Sequence, residues 1–217
     1  MQTLKEQTNA KIEMGRKANP DFMKGIDDII VKAKALLEGD NAIGIGQKAS
    51  IFVLPNSKGK SISLASLLEK GPVVVTFYRG SWCPYCNLQL KALQSRLVDI
   101  YALGAQLVAI SPQVPDESLN KNEIDEMDFI VLSDQDAKVA SQYGVAWKVP
   151  EFIAEHMKKD RELDLESINN GNSSILPIPA TFIIGQDGIV TWRFIDVDYR
   201  TRSEPEDIIQ ALKKISE

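Results

Sequence analysis

Histidine is almost missing from this chain and cysteine nearly so: one His, at position 156, and two Cys, at 83 and 86, stand among 217 residues. A two-histidine metal site is therefore excluded, and a Cys2His set lacks a fourth protein ligand, so no metal or organic cofactor is expected. Two cysteines three positions apart cannot build the cross-link framework of a small secreted domain, and a chain this long, 44% hydrophobic, needs none. Also missing is any apolar run approaching the roughly 20 residues that cross a bilayer, and the polar first 20 residues lack the apolar middle of a secretory signal. A cytoplasmic protein with no membrane partner is expected. Positive charge is in deficit too: 25 Lys and Arg face 30 Asp and Glu, a formal charge of −5, with no local basic run to offset it. Nothing is left over to neutralise a phosphate backbone, so nucleic acid is not an expected partner.

What is present reads as one α/β domain over residues 42–217, preceded by a helical N-terminal extension and linker over residues 1–41. Asn19-Pro20-Asp21 supplies an N-cap, a first-turn proline and a negative charge at the positive end of a helix dipole. Phe22, Ile26, Ile29, Ile30, Ala33, Leu36 and Leu37 then recur at helical spacing, which predicts an amphipathic helix over 20–38. Its apolar face fits either an appendage packed on its own domain or the interface of a homodimer.

From about residue 47 the pattern shifts to short β-type runs and helices: 50–54, a Lys58-Gly59 turn, a helical 64–68, and the buried strand Val73-Val74-Val75-Thr76-Phe77-Tyr78. A helix follows with Cys86, Leu90, Leu93, Leu97 and Ile100 on one face, then a strand at 107–110, which makes a βαβ unit with the cysteines at its crossover. Further expectations are a strand at 129–132, helices at 136–143 and 150–159, and a turn at 169–172. A β-hairpin spans 180–195 around Gln186-Asp187-Gly188, and a last helix is opened by a Ser203/Glu206 capping box.

Chemistry concentrates in Tyr78-Arg79-Gly80-Ser81-Trp82-Cys83-Pro84-Tyr85-Cys86, a strand end, a loop and a helix start. Residues three apart are neighbours on a helix, so the two sulfurs can approach bonding distance. Cys83 falls at the helix N-terminus, where orphan N–H groups favour a thiolate, and Cys86 one turn further in. The outer sulfur is expected to attack and the inner one to resolve. Arg79 adds a positive charge that lowers the thiol pKa, steers an anionic substrate, or is simply a solvated loop charge. Ser81 reads as a loop serine, and His156, among Phe152, Ile153 and Met157, as a helix-surface histidine without catalytic weight.

Trp82-Cys83-Pro84-Tyr85-Cys86 at a strand-to-helix junction resembles thioredoxin, and Ile178-Pro179-Ala180-Thr181-Phe182 resembles that superfamily's cis-proline strand, which places Pro179 opposite the two sulfurs. A closer resemblance covers residues 42–217. Gly46-Gln47-Lys48-Ala49, Phe77-Tyr78-Arg79-Gly80-Ser81-Trp82-Cys83, Leu132-Ser133-Asp134 and Asp198-Tyr199-Arg200-Thr201-Arg202-Ser203 are similar to the alkyl hydroperoxide reductase and thiol-specific antioxidant family, in its peroxiredoxin-like branch with C-x-x-C. The resemblance implies a thioredoxin-like fold, a central mixed sheet flanked by helices. It also implies a peroxidase cycle through a Cys83 sulfenic acid and a Cys83–Cys86 disulfide, reduced by thioredoxin or a similar dithiol. Arg200 or Arg202 is then the guanidinium that assists the developing alkoxide. The family's P-x-x-x-T-x-x-C is not kept: counting back from Cys83, Gly80 stands where the Thr belongs and Thr76 where the Pro belongs.

Two rival functions use the same residues. A thioredoxin-type protein disulfide oxidoreductase keeps the C-x-x-C and the proline without a peroxide pocket, and a redox-sensing interaction module couples the disulfide to exposure of the N-terminal helix.

Overall fold

The computed structural model describes residues 2–114 and 127–216. Its centre is a five-stranded mixed sheet whose strands lie in the order β5 (Ile130–Ser133), β4 (Gln106–Ser111), β3 (Val73–Phe77), β8 (Ala180–Ile184), β9 (Val190–Ile195). Strands β3, β4 and β5 are parallel, while β8 runs antiparallel to β3 and to β9. Every residue of β3 is buried, as a strand covered on both faces requires. In register, Phe77 lies between Ile110 and Ala180, so the chain leaves β3 where its two neighbours also meet. Two small antiparallel pairs flank the sheet: β1 (Val53–Pro55) with β2 (Ser61–Ser63), and β6 (Ala146–Lys148) with β7 (Ile175–Pro177).

The N-terminal extension is a pair of helices, α1 (Leu4–Ala18) and α2 (Pro20–Ala35). The sequence reading gave no element to α1, although Thr3 and Glu6 form a reciprocal capping box, with Thr3 Oγ1 accepting from the Glu6 N–H at 3.1 Å and Glu6 accepting from the Thr3 N–H at 2.9 Å. Two more first-turn donors, the N–H groups of Leu4 and Lys5, go to the Glu204 carboxylate at 3.1 and 2.6 Å, which ties this helix to a segment 200 residues away. The predicted α2 is present, with Asn19 Oδ1 accepting from the Phe22 N–H at 3.2 Å. Met23, Ile26, Ile30 and Ala33 bury its apolar face. Ile26, Ile30 and Ala33 join the same core cluster as the sheet, so the face serves this chain's own core. Full burial of a side chain such as Ile26 contributes about 1.5–3 kcal/mol. The stripe ends early: Leu36 and Leu37 are exposed because the helix stops at Ala35 and Leu37 turns to φ 56°.

Between the strands, α3 (Leu64–Leu68) matches its expected span. The crossover helix is broken at Arg96 into α4 (Pro84–Ser95) and α5 (Leu97–Ala102), both facing the sheet. Then come α6 (Lys138–Gln142), α7 (Glu151–Asp160), α8 (Leu165–Ile168) and α9 (Pro205–Ser216). The Ser203/Glu206 box does not form. Glu204 stands before the first turn of α9, Ser203 Oγ is spent on Thr181 Oγ1 at 3.3 Å, and Glu206 pairs with Arg96 and Gln210. No helix among the described residues is long and apolar enough to cross a membrane.

Candidate active site

The loop leaving β3 is built to bring two sulfurs to the start of α4. Gly80 takes φ 148°, and a Cβ there would lie 2.3 Å from Trp82 Nε1, so only glycine lets the indole fold back against the loop. Ser81 is pinned from outside, its N–H and Oγ both donating to Gln113 Oε1 at 2.8 and 3.0 Å, while Asn87 Nδ2 donates to the Ser81 carbonyl at 2.8 Å. Ser81 thus holds the loop and offers nothing to the sulfurs, in agreement with its reading as a loop serine. Pro84 opens α4 and Cys83 is its N-cap, without a side-chain capping hydrogen bond. The first-turn N–H groups therefore act on the Cys83 sulfur through their field.

Both thiols are free and buried, Cys83 1% exposed and Cys86 0%. The expected outward-facing nucleophile is thus covered, because Phe22 and Met23 of α2 and Ile153 and Met157 of α7 close over it. A cavity of about 110 Å³ remains between those two helices and the loop, reaching Cys83, Arg79, Trp82, Tyr199 and Arg161. Cys86 does not line it.

Three arginines were candidates, and the structure treats them differently. Arg79, 4% exposed, is clamped between two rings, its Cζ 5.0 Å from the Trp82 centroid and 4.1 Å from that of Tyr199. Its Nη2 lies 4.0 Å from Met157 Sδ, and among the described residues no carboxylate pairs with it. Arg202, 6% exposed, sends Nη2 to Cys86 Sγ at 3.2 Å and Nη1 to the carbonyls of Tyr199 and Thr201, the latter at 2.7 Å, again with no carboxylate among the described residues. Arg200 is neutralised instead. It forks onto Asp198 (Nε–Oδ1 2.8 Å, Nη2–Oδ2 2.9 Å) and touches Asp27 of α2 with Nη1 at 2.8 Å, off the hydrogen-bond direction. Burial opposes its charge, and the two aspartates more than restore it, so its pKa is raised.

The two thiols are shifted in opposite directions. Burial alone pushes the Cys83 thiol up, but hydrogen bonding from Cys86 and the charges of Arg79 and Arg202 outweigh it and hold Cys83 well below the ordinary cysteine range. Burial, with Cys83 beside it, drives Cys86 well above that range. The direct donors nevertheless converge on Cys86: besides Arg202, the Arg79 N–H reaches Cys86 Sγ at 3.4 Å. We place the negative charge on Cys83, which stands at the helix N-terminus beside Arg79, and the proton on the deeper sulfur.

Pro179 is buried at the start of β8, and the Ile178–Pro179 bond is trans, since no described peptide bond is cis. The expected cis-proline is corrected: trans is the lower-energy form of an X–Pro bond, and the Ile178 N–H is anchored on the Val145 carbonyl at 2.7 Å. His156 stacks on Phe22 at 3.6 Å between centroids and contacts Asp160 Oδ2 through Nδ1 at 2.6 Å, at the rim of the cavity. Sequence reasoning missed a buried polar chain beneath the site. Gln89 Nε2 donates to Thr76 Oγ1 at 3.1 Å, Thr76 and Thr181 hydroxyls are 3.1 Å apart, and Ser203 reaches Thr181, fixing the backbone just after Arg202. Thr76 and Thr181, each inside an otherwise apolar strand, were its signals.

A parallel βαβ unit with an antiparallel hairpin on the other edge, and a dithiol at its crossover, defines a thioredoxin-like thiol protein. The AhpC/TSA family matches residues 45–193, and the chain belongs to that family. Among similar proteins, one of Haemophilus influenzae named as a peroxiredoxin, bcp, is 33% identical over 113 residues, 52% of this chain and 72% of its own. Peroxiredoxin Bcp of Escherichia coli is 28% identical over 113 residues, 52% and 71% of the two chains. The crystal structure of peroxidoxin BcpB from Mycobacterium tuberculosis shares the fold with a TM-score of 0.61 at 22% identity, covering 80% of this chain and 98% of that one. AhpC of Enterococcus faecalis superposes with a TM-score of 0.58 at 16% identity, over 79% and 91%.

Proposed function

We propose that the protein is a thiol peroxidase acting on hydrogen peroxide or organic hydroperoxides, with Cys83 as nucleophile and Cys86 as resolving thiol. The observation that carries this reading is the pair of buried guanidiniums, Arg79 and Arg202, around two sulfurs, with no carboxylate among the described residues to neutralise them. Family membership and relatives named peroxiredoxins support it. The Cys83 thiolate attacks the outer peroxide oxygen, the O–O bond breaks, and the departing alkoxide takes a proton to leave as alcohol or water. Cys83 is then a sulfenic acid. The Cys86 thiol attacks that sulfur, its proton leaves with the hydroxyl as water, and the two sulfurs close a disulfide. An external dithiol, thioredoxin or a similar reductant, restores both thiols by exchange. Arg79, which lines the cavity, is the group placed to stabilise the leaving oxygen, and Arg202 holds Cys86. Arg200, already neutralised, has no such role in this scheme; it anchors α2. Burial of Cys83 and the trans Pro179 weigh against a protein disulfide as substrate. The reading keeps the protein in the cytoplasm, and a homodimer would use a face other than that of α2.

One observation favours a second reading in which the roles are exchanged. Both hydrogen-bond donors meet Cys86, and counting P-x-x-x-T-x-x-C back from Cys86 puts Cys83 at the Thr and Arg79 at the Pro. One equivalent of peroxide followed by mass spectrometry separates the two. With Cys83 as nucleophile, Cys86→Ser gains one oxygen at Cys83 that a sulfenic-acid reagent traps, and Cys83→Ser stays reduced. A trapped sulfenic acid at Cys86 in Cys83→Ser, with Cys86→Ser inert, exchanges the roles. Reaction of wild type no faster than free cysteine removes the peroxidase reading.

A further inference from the structure

Two buried arginines near the dithiol are held in opposite ways. Arg200 is forked onto Asp198 and meets Asp27, so its charge is cancelled where it stands. Arg79 is held by rings instead, its Cζ 4.1 Å from the Tyr199 centroid and 5.0 Å from that of Trp82. A ring attracts a guanidinium through its quadrupole but brings no net charge, so the field of Arg79 at Cys83 is not cancelled by its own support. Tyr199 is itself fixed from several sides. The Thr201 N–H donates to the Asp198 carbonyl at 2.9 Å, closing a turn with Tyr199 and Arg200 at its centre. Tyr85, in the first turn of α4, meets the Tyr199 ring edge-on, with centroids 6.0 Å apart and planes at 71°. Arg202 Nη1 donates to the Tyr199 carbonyl, so this one residue touches both guanidiniums of the site, Arg79 with its ring and Arg202 with its backbone. Burial raises the Tyr199 phenol above its ordinary range, although Arg79 acts the other way, and the side chain therefore stays neutral.

We propose that Tyr199 is a positioning residue for the thiolate: its ring holds Arg79 beside Cys83 with the positive charge intact. A carboxylate in its place would hold the guanidinium equally well and cancel its field, as Asp198 does for Arg200. Tyr199 acts through Arg79, which lines the cavity with Cys83. Its effect on turnover rests on the peroxidase reading, since a displaced Arg79 leaves the departing oxygen without the group placed to stabilise it. Its effect on the ionisation of the thiol does not depend on that reading.

The test is a double-mutant cycle on the reduced full-length protein, read as the pKa of the first thiol from ultraviolet thiolate absorbance and from the pH profile of iodoacetamide alkylation. Tyr199→Leu should raise that pKa by about one unit, a part of the about 1–3 units that an opposite charge at close range contributes. Tyr199→Phe keeps the ring and should titrate close to wild type. In Arg79→Met the charge is already gone, so adding Tyr199→Leu should move the pKa no further, whereas a merely structural ring would move it equally in both backgrounds. Tyr199→Leu also removes packing, and a second comparison avoids this: Tyr199→Phe against pentafluorophenylalanine at the same position, which reverses the quadrupole at nearly constant shape and should raise the pKa. A folded Tyr199→Leu that titrates like wild type, or that shifts by the same amount in Arg79→Met, overturns the proposal and leaves the peroxidase standing. So does a pentafluorophenylalanine protein that titrates like Tyr199→Phe. Stopped-flow oxidation by hydrogen peroxide separates the two readings: slowing of Tyr199→Leu in parallel with its lost thiolate supports both. Coupled pKa shifts, with wild type reacting no faster than free cysteine, sustain the aromatic clamp and sink the peroxidase.

Discussion

Replacing Arg202 by methionine keeps the length of the side chain and removes its charge, so it asks directly how much of the Cys83 thiolate this guanidinium supports. Arg202 Nη2 lies 3.2 Å from Cys86 Sγ, and its charge acts on both sulfurs. At a separation of about 4 Å and an effective dielectric of about 20, a unit pair interacts by about 4 kcal/mol, part of which offsets the desolvation of the buried guanidinium. Opposite charges at this range move a pKa by about 1–3 units. Since Arg79 remains in Arg202→Met, the lower half of that range applies, about 1–2 units or 1.4–2.8 kcal/mol. Ultraviolet thiolate absorbance against pH, together with the pH profile of iodoacetamide alkylation, should show the first thiol titrating higher by that amount. The variant also strands the carbonyls of Tyr199 and Thr201, at a cost of about 1–3 kcal/mol each, so a lower Tm is expected. The titration is read in the folded state and is separable from that loss. Arg202→Lys restores charge without the fork and should recover most of the pKa shift but little of the Tm. A folded Arg202→Met titrating like wild type would refute the electrostatic account, as would Arg202→Lys matching Arg202→Met.

Two further outcomes follow from the loop and the N-terminal pair of helices. Gly80→Ala forces a Cβ to within 2.3 Å of Trp82 Nε1 at a positive φ; it should cost about 1–3 kcal/mol, shift tryptophan fluorescence and slow the reaction of Cys83. Burial raises Asp27, but Arg200 and then Arg16 outweigh it, leaving its pKa below 3.8; a depressed carboxylate stabilises the fold above its unfolded pKa and loses that contribution as pH falls through the folded value. Asp27→Asn should therefore lie within roughly 1 kcal/mol of wild type at pH 7, given the exposed carboxylate, and the gap should close below about pH 4 in urea titrations. A gap that widens in acid would contradict the ion pair.

The elements legible in the sequence were those whose signals are local. A continuous β-branched run gave β3, alternation around Gln186-Asp187-Gly188 gave the β8–β9 hairpin, and the C-x-x-C at a strand-to-helix junction placed both sulfurs. What escaped depends on contacts far apart in the chain. Nothing near Cys83 announces that Phe22 and Met23 cover it, and nothing separates Arg200 from Arg202 until Asp27 and Asp198 are seen to neutralise one and Cys86 to receive the other. Ser203 and Glu206 had the spacing of a cap, but tertiary partners claimed both side chains. The helix α1 was missed for a weaker reason, since Thr3 and Glu6 have the same spacing and do form the box.

Distance along the chain has a consequence during synthesis. Arg202 lies 116 residues beyond Cys86, and Glu204 lies 200 beyond the Leu4 N–H that it caps. At about 5–20 residues per second, a ribosome that has made the C-x-x-C works for roughly 6–23 s more before the arginine exists. Through that interval the nascent chain carries its two thiols without the guanidinium that helps to ionise one of them, and without the carboxylate that fastens α1. Arg202 supports the thiolate only once its segment has folded back onto Cys86, so the ionisation of Cys83 and the tie from Glu204 to α1 both wait on residues made long after the two thiols.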